Sequence, residues 1–193
     1  MAEKTRVTVI RHCEAEGNLK RIFQGHTNAA ISENGKKQLD LLRLRCRNLP
    51  IDVIYTSPLQ RAYLTAEAVN SFRNAPVHLC DDLMEINGGV WEGKRWVDLP
   101  ALYPEDARIW NLEPQNFAPK NGEPMRHVYE RMSRAVTEIV RRHPGGQICI
   151  TSHGCAIRNL LCWAMGKPVE ELNTVDWCDN TAISILEFDE NAV

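Results

Sequence analysis

Short β-branched runs that break off at charged or polar residues, with amphipathic helix-length segments between them, most constrain the fold of this chain. Arg6 to Ile10 reads as a buried strand that stops at Arg11-His12, and the polar stretch Glu14 to Gly25 reads as a loop. Ser32-Glu33 opens a helix in which Leu39, Leu42, Cys46 and Leu49 recur at helical spacing until Pro50. Asp52 to Thr56 is a second strand, after which Ser57-Pro58 supplies an N-cap and a first-turn proline for a helix to about Phe72. Val77 to Cys80 is a third strand, and Asp81 to Gly93 has the composition of a loop. Glu123-Pro124 opens a long helix carrying Val128, Met132, Ala135, Val136 and Ile139, and Pro144-Gly145-Gly146 ends it. Gln147 to Thr151 is a fourth strand with His153-Gly154 after it, Ala156 to Met165 is a helix, and Ala182 to Phe188 is a last strand.

Such alternation predicts an α/β protein, a three-layer α/β/α sandwich with a mainly parallel central sheet and helices on both faces. At 193 residues the chain suits one domain over residues 1–193 and can bury a core without disulfides. Lys94 to Gly122, interrupted by Pro100, Pro104, Pro114 and Pro119, reads as an insertion over the site. A formal net charge of -2 gives no broad basic field, which argues against nucleic acid and an anionic membrane as partners and leaves any anion binding local. The seven cysteines are scattered and never spaced as C-x-x-C, which argues against a zinc site or a disulfide framework. With a polar Met1 to Arg6 and an apolar run too short for a signal peptide, the expected location is cytoplasmic.

In open α/β sheets, ligands gather outside the carboxyl ends of the strands. There the sequence puts Arg11-His12 after the first strand, Ser57 and Arg61 after the second, Glu85 after the third and His153-Gly154 after the fourth. Two arginines can clamp the oxygens of a phosphate dianion, and histidines or a helix N-terminus add positive potential. A neutral histidine is a competent nucleophile at pH 7 once its other ring nitrogen is held as a donor, and carbonyls at a strand end can hold it. His12 is the expected nucleophile, and Glu85 the expected proton donor to the leaving oxygen, with Asp81, Asp82 and Glu92 as competing carboxylates.

These residues carry a resemblance to a known family. Val9 to Glu14 with Asn18, Gln24-Gly25, Ile31 to Gly35, Tyr55 to Ala62, Thr65-Ala66, Glu85 with Gly89 and Trp91-Glu92-Gly93, and Ser152-His153-Gly154 together resemble the histidine phosphatase superfamily, which includes the cofactor-dependent phosphoglycerate mutases. The resemblance covers nearly the whole chain and implies a phosphoglycerate mutase-like sandwich. It further implies a nucleophilic His12, a phosphoryl pocket of Arg11, Arg61 and His153, added contacts from Asn18, Gln24, Gly25 and Gly154, and Glu85 as acid and then base. The family pattern has glycine where this chain has Cys13 and threonine where it has Ala15.

The expected activity is hydrolysis of a small phosphorylated metabolite through a phosphohistidine, with no metal or organic cofactor. Mutase-type phosphoryl transfer is an alternative that length disfavours, since the family's mutases tend to be longer. A non-catalytic module that holds phosphorylated ligands is a second alternative, disfavoured because His12, Arg11, Arg61, Glu85 and His153 are all present. A thiol mechanism on Cys13 would need a glycine-rich loop that Cys13 to Gly17 does not offer. Trp96 and Trp110 are assigned to packing. Lys94, Arg95, Arg108, Lys120 and Arg126 are the cations able to meet a second acidic group, and of the other histidines only His26 is within reach of substrate. No particular assembly state can be drawn from the sequence.

Overall fold

Strands β1 (Thr5–Arg11), β2 (Val53–Thr56), β3 (Val77–Leu79), β4 (Gln147–Ser152) and β5 (Ile183–Phe188) form one five-stranded sheet in the order β3-β2-β4-β1-β5. In this computed structural model residues 4–189 are described; residues 1–3, part of the polar stretch Met1 to Arg6, and residues 190–193 lie outside them. Neighbours β3, β2, β4 and β1 pair in parallel, and β5 runs antiparallel along β1 with Ile10 opposite Ile183. The chain therefore has the mainly parallel sandwich that its alternating pattern predicts.

Side chains alternate across a strand, so each strand feeds two cores. Val7 and Val9, Val53 and Tyr55, and Ile148 and Ile150 point to one face, where α6 (Met125–Arg142) and α7 (Gly154–Ala164) bury Val128, Met132, Val136, Ile157 and Leu160. Ile10, Ile54 and Cys149 point to the other, against Leu42 and Cys46 of α2 (Glu33–Cys46) and Ala66 and Val69 of α3 (Gln60–Asn70). Burial on both faces explains why the central strands read as continuous apolar runs.

Helix α2 starts where expected, with the Ser32 hydroxyl accepting from the Gly35 amide at 2.9 Å. Two other starts are shifted. Ser57 is not the cap of α3, whose N-cap is Leu59; the Asn28 carboxamide from a distant loop accepts the Gln60 amide at 2.8 Å, and the Ser57 hydroxyl accepts the Leu59 amide at 3.3 Å but caps no residue within the helix. Helix α7 begins at Gly154 rather than Ala156, with His153 at its N-cap. The stretch expected to be loop contains a single turn, α1 (Glu16–Leu19). Between residues 94 and 122, Pro100 and Pro104 sit at the starts of α4 (Leu99–Leu102) and α5 (Pro104–Leu112), as the missing amide of proline permits at a first turn. A bridge from Ile22 to Arg95 fastens this segment beside the loop after α1.

Candidate active site

Strands β1 and β4 are neighbours in parallel register, with Arg11 opposite Ser152. The next residue on each is a histidine, so the rings of His12 and His153 come to 5.1 Å. His12 is 2% exposed and borders a cavity of about 110 Å³ at the carboxyl end of the sheet. Its Nδ1 lies 2.6 Å from the Cys13 carbonyl. A carbonyl only accepts, so Nδ1 carries the proton and Nε2 keeps its lone pair. Burial, then the charge of Arg61 and that of Arg11, hold the imidazole well below its ordinary value of 6.5, so the neutral form persists at pH 7.

Arg61 enters from the second residue of α3 and is buried, its two terminal nitrogens donating to the Thr27 and Gly25 carbonyls at 2.8 Å each. Burial pulls it down to about 10, with Glu85 and Glu92 acting in the opposite direction, so it stays cationic at neutral pH. Arg11 is anchored through one terminal nitrogen to the Cys178 carbonyl. In both arginines Nε is buried without a partner. Two guanidinium groups beside one cavity, each with an unmatched donor, leave positive charge that an anion in the cavity would offset.

His153 lies behind the cavity wall, its Nε2 at 2.7 Å from the Ser57 hydroxyl that α3 did not use, and its Nδ1 buried and unpartnered. Burial, Arg61 and His12 push it too well below 6.5. Asn18 uses its carboxamide oxygen on the Ala15 amide at 3.0 Å, leaving the NH2 for the cavity it lines. Gln24 is buried against Gly17, where a Cβ would fall 2.3 Å from its Cγ. Gly25 and Gly154 line the same cavity. Every residue expected at the site is thus drawn to one place, His153 from the second layer.

Glu85 lines the cavity and accepts the amides of Ile86 and Ala156 on Oε1 and of Cys155 on Oε2. The carboxylate sits at the amino end of α7, where its charge meets the helix dipole, and Oε2 keeps a lone pair for a proton in transit. The competing carboxylates are elsewhere: Asp81 and Asp82 line a separate surface hollow. Glu92 instead accepts the His26 and Gly88 amides and the Thr27 hydroxyl, bracing the loop whose carbonyls hold Arg61. Gly25 there has φ of 50°, and a Cβ on it would meet Glu92 Oε1 at 2.3 Å, so glycine is required twice over.

Trp96 and Trp110 pack among aromatic rings as expected, and they also line the cavity with Trp177. Some expectations fail. None of the cations expected to meet a second acidic group lines it: Arg95 pairs with Asp98, Arg108 with Glu105 and Glu113, and Arg126 with Glu170, while Lys94 and Lys120 are exposed elsewhere. Spacing of (i, i+3) favours the Arg95–Asp98 and Arg108–Glu105 pairs, whereas Arg126 reaches across to another segment. His26 turns its ring to the Glu85 carbonyl at 2.9 Å and does not border the cavity.

Other contributors had no readable signal. Asn180 donates to the His12 carbonyl at 2.9 Å, and the Thr181 amide donates to the Arg11 carbonyl at 3.0 Å. Arg131 grips Glu123 through two nitrogens and the Asp82 carbonyl through a third, pinning α6 to the loop that bears Glu85. Cys13 is buried, without the positive φ that would demand glycine, and its thiol is pushed up by burial.

Residues 7–193 match the family model described as histidine phosphatase superfamily (branch 1). The chain belongs to the histidine phosphatase superfamily. Phosphoserine phosphatase 1 of Hydrogenobacter thermophilus is 33% identical over 185 residues, 96% of this chain and 87% of the relative. An adenosylcobalamin/alpha-ribazole phosphatase of Salmonella typhimurium is 29% identical over 167 residues, 86% of this chain and 83% of the relative. Among solved structures, Bacillus stearothermophilus YhfR superposes with a TM-score of 0.92 at 30% identity, covering 97% of this chain and 93% of that one. The alpha-ribazole phosphatase of Shigella flexneri gives 0.86 at 27% identity, covering 96% and 91%. Three of these four relatives are named as phosphatases of small molecules. Among the described residues no helix is long and apolar enough to cross a membrane.

Proposed function

We propose that this chain is a single-domain cytoplasmic phosphomonoesterase that hydrolyses a small phosphorylated metabolite through a phosphohistidine on His12. One observation carries the reading: a buried, neutral imidazole, its proton fixed on Nδ1, shares a cavity with two arginines whose Nε groups lack partners. Phosphate monoester hydrolysis is among the slowest uncatalysed reactions, and fixed charge with in-line positioning supplies most of its acceleration. Arg11 and Arg61 neutralise the phosphoryl oxygens, with Asn18, Gln24 and the backbone of Gly25 and Gly154 completing the cup and His153 backing it from behind the wall.

In the first step the Nε2 lone pair attacks phosphorus, the P–O ester bond breaks, and the leaving oxygen takes a proton from Glu85. In the second, Glu85 takes a proton from water, the hydroxide oxygen bonds to phosphorus, and the N–P bond breaks. Inorganic phosphate leaves, with the His12 lone pair and the Glu85 proton restored. The imidazole supplies the nucleophile and the arginines the charge, so no metal or organic cofactor is needed.

The test is phosphate release from a panel of monoesters together with trapping of an acid-labile phosphoprotein. His12→Ala is expected to lose both. Glu85→Gln, given an ester such as p-nitrophenyl phosphate whose leaving group needs no proton, is expected to form the phosphoprotein and hydrolyse it slowly. Wild-type turnover by His12→Ala overturns the reading, and isomerisation of 3-phosphoglycerate outpacing phosphate release would replace hydrolase with mutase.

A further inference from the structure

Beyond the phosphate cup the cavity changes character. Its outer wall is Ile22, Phe23, Ile86, Trp96, Trp110 and Trp177, drawn from the loop after α1, the loop beyond Glu85, the segment 94–112 and the loop before β5. Several separate stretches converge there, so the aromatic wall is no stripe of a single helix. Phe23 and Trp96 are 5.1 Å apart between ring centroids, Trp96 and Trp110 are 5.6 Å, and Trp110 and Trp177 stack at 6.1 Å with 27° between planes. Behind Trp110 the inner rings of Trp91 and Phe117 are fully buried, whereas Trp96 and Trp177 remain 41% and 48% exposed.

Trp177 is held by a cation as well. The Arg158 guanidinium lies 4.7 Å over its ring, fixed by the Val175 carbonyl at 2.8 Å and the Asn173 side chain at 3.2 Å. An exposed aromatic braced in place offers apolar surface for contact at small entropic cost, since little side-chain freedom remains to be lost. Among the described residues the only cations on the cavity wall are Arg11 and Arg61, already committed to the phosphoryl group.

We infer that this wall selects phosphomonoesters whose leaving group is flat and uncharged, an aryl-alkyl or heterocycle-bearing alcohol, over those carrying a second acidic group. The inference rests on the phosphatase reading and narrows its substrate class. A carboxylate pressed on tryptophan faces would lose hydration and gain no counter-charge, while an uncharged ring would bury apolar surface and stack. Phosphoserine, named for a relative 33% identical, carries that carboxylate and is therefore expected to be a poor substrate here.

The experiment compares kcat/KM for benzyl phosphate and 2-(1-naphthyl)ethyl phosphate with that for ethyl phosphate, O-phosphoserine and 3-phosphoglycerate. Each of these esters leaves from an alkyl oxygen and none from an activated aryl oxygen, so large differences report binding rather than intrinsic leaving ability. A stacked ring contact predicts a preference for the aromatic esters of roughly tenfold or more. Trp96→Ala and Trp177→Ala should each pull the benzyl-to-ethyl ratio down by roughly 3- to 10-fold, and that ratio is indifferent to a general loss of folded enzyme. Equal or better turnover of phosphoserine or 3-phosphoglycerate overturns the inference, as does an aromatic preference that both variants retain. Those failures still leave phosphate release from some ester, so the phosphatase reading survives them; no release from any ester sinks both.

Discussion

Glu92 does not line the cavity and sits behind the Gly25 backbone, yet its truncation is expected to weaken the enzyme. Glu92→Ala removes the acceptor of the His26 amide at 2.9 Å, the Gly88 amide at 3.1 Å and the Thr27 hydroxyl at 3.0 Å. Each amide left without a partner costs about 1–3 kcal/mol when buried, and partial exposure puts the pair near the low end, about 2 kcal/mol in all. The same loop presents the Gly25 and Thr27 carbonyls that fix Arg61, and a displacement of about 1 Å in such a clamp costs up to about 100-fold in rate. Glu92→Gln separates geometry from charge, because it keeps a carbonyl oxygen for both amides, loses the negative charge, and offers the Thr27 hydroxyl an NH2 donor where it had an acceptor, a bond the hydroxyl can reverse by rotating. Arg61 lies at about 10 and stays protonated at neutral pH even with that charge gone. The expectation is a urea midpoint and kcat/KM close to wild type for Glu92→Gln, with both reduced in Glu92→Ala and KM rising. A glutamine variant as impaired as the alanine variant would refute the geometric argument.

The histidines predict a pH dependence of stability. His12 and His153 are both held below 6.5 in the folded protein, whereas the unfolded chain protonates them near that value. Below pH 6.5 the unfolded state therefore binds more protons, and stability falls with falling pH by up to about 1.4 kcal/mol per pH unit for each histidine; denaturation curves from pH 7.5 to 5.5 that hold level contradict this. Ser57→Ala leaves the His153 Nε2 without its 2.7 Å partner and frees the choice of tautomer, so kcat should fall while Ser57→Thr restores part of it. Gly35→Ala places a Cβ 2.0 Å from the Glu14 carbonyl oxygen, wedging α2 from the loop after His12, and should lower stability by about 3 kcal/mol in chemical denaturation. Cys13→Gly, which restores the family's residue, should keep activity while losing about 1 kcal/mol, because residue 13 needs no positive φ and its buried side chain would be lost.

Strand ends were readable because two rules coincide. β-branched runs with buried faces declare themselves as strands, and a parallel strand must stop before chemistry can begin, so Arg11, His12, Arg61, Glu85 and His153 could all be found just past the carboxyl end of a run. Helix starts were less readable wherever a distant segment did the capping. Ser57-Pro58 has the local signature of a helix start, but the Asn28 carboxamide from another loop takes the Gln60 amide, and no local pattern reports that exchange. The consequence reaches the site, since a serine spared from capping is the one that holds His153.

The antiparallel edge strand explains why the remaining site residues were not legible. Searching past the carboxyl end of a strand finds the site only for strands that run toward it. Strand β5 runs away from it, with Ile183 opposite Ile10, so the residues delivered to the site are those that precede the strand. Trp177, the Cys178 carbonyl that anchors Arg11, Asn180 on the His12 carbonyl and Thr181 with its φ of 59° all come from that approach. Reversing one strand turns its entry loop into an exit loop as seen from the ligand. A shortened loop between α7 and β5 is therefore expected to damage the nucleophile's placement and the leaving-group wall together. A deletion within residues 176–180 that lowered the aromatic preference while leaving phosphohistidine formation at the wild-type rate would show that the two are not held by one loop.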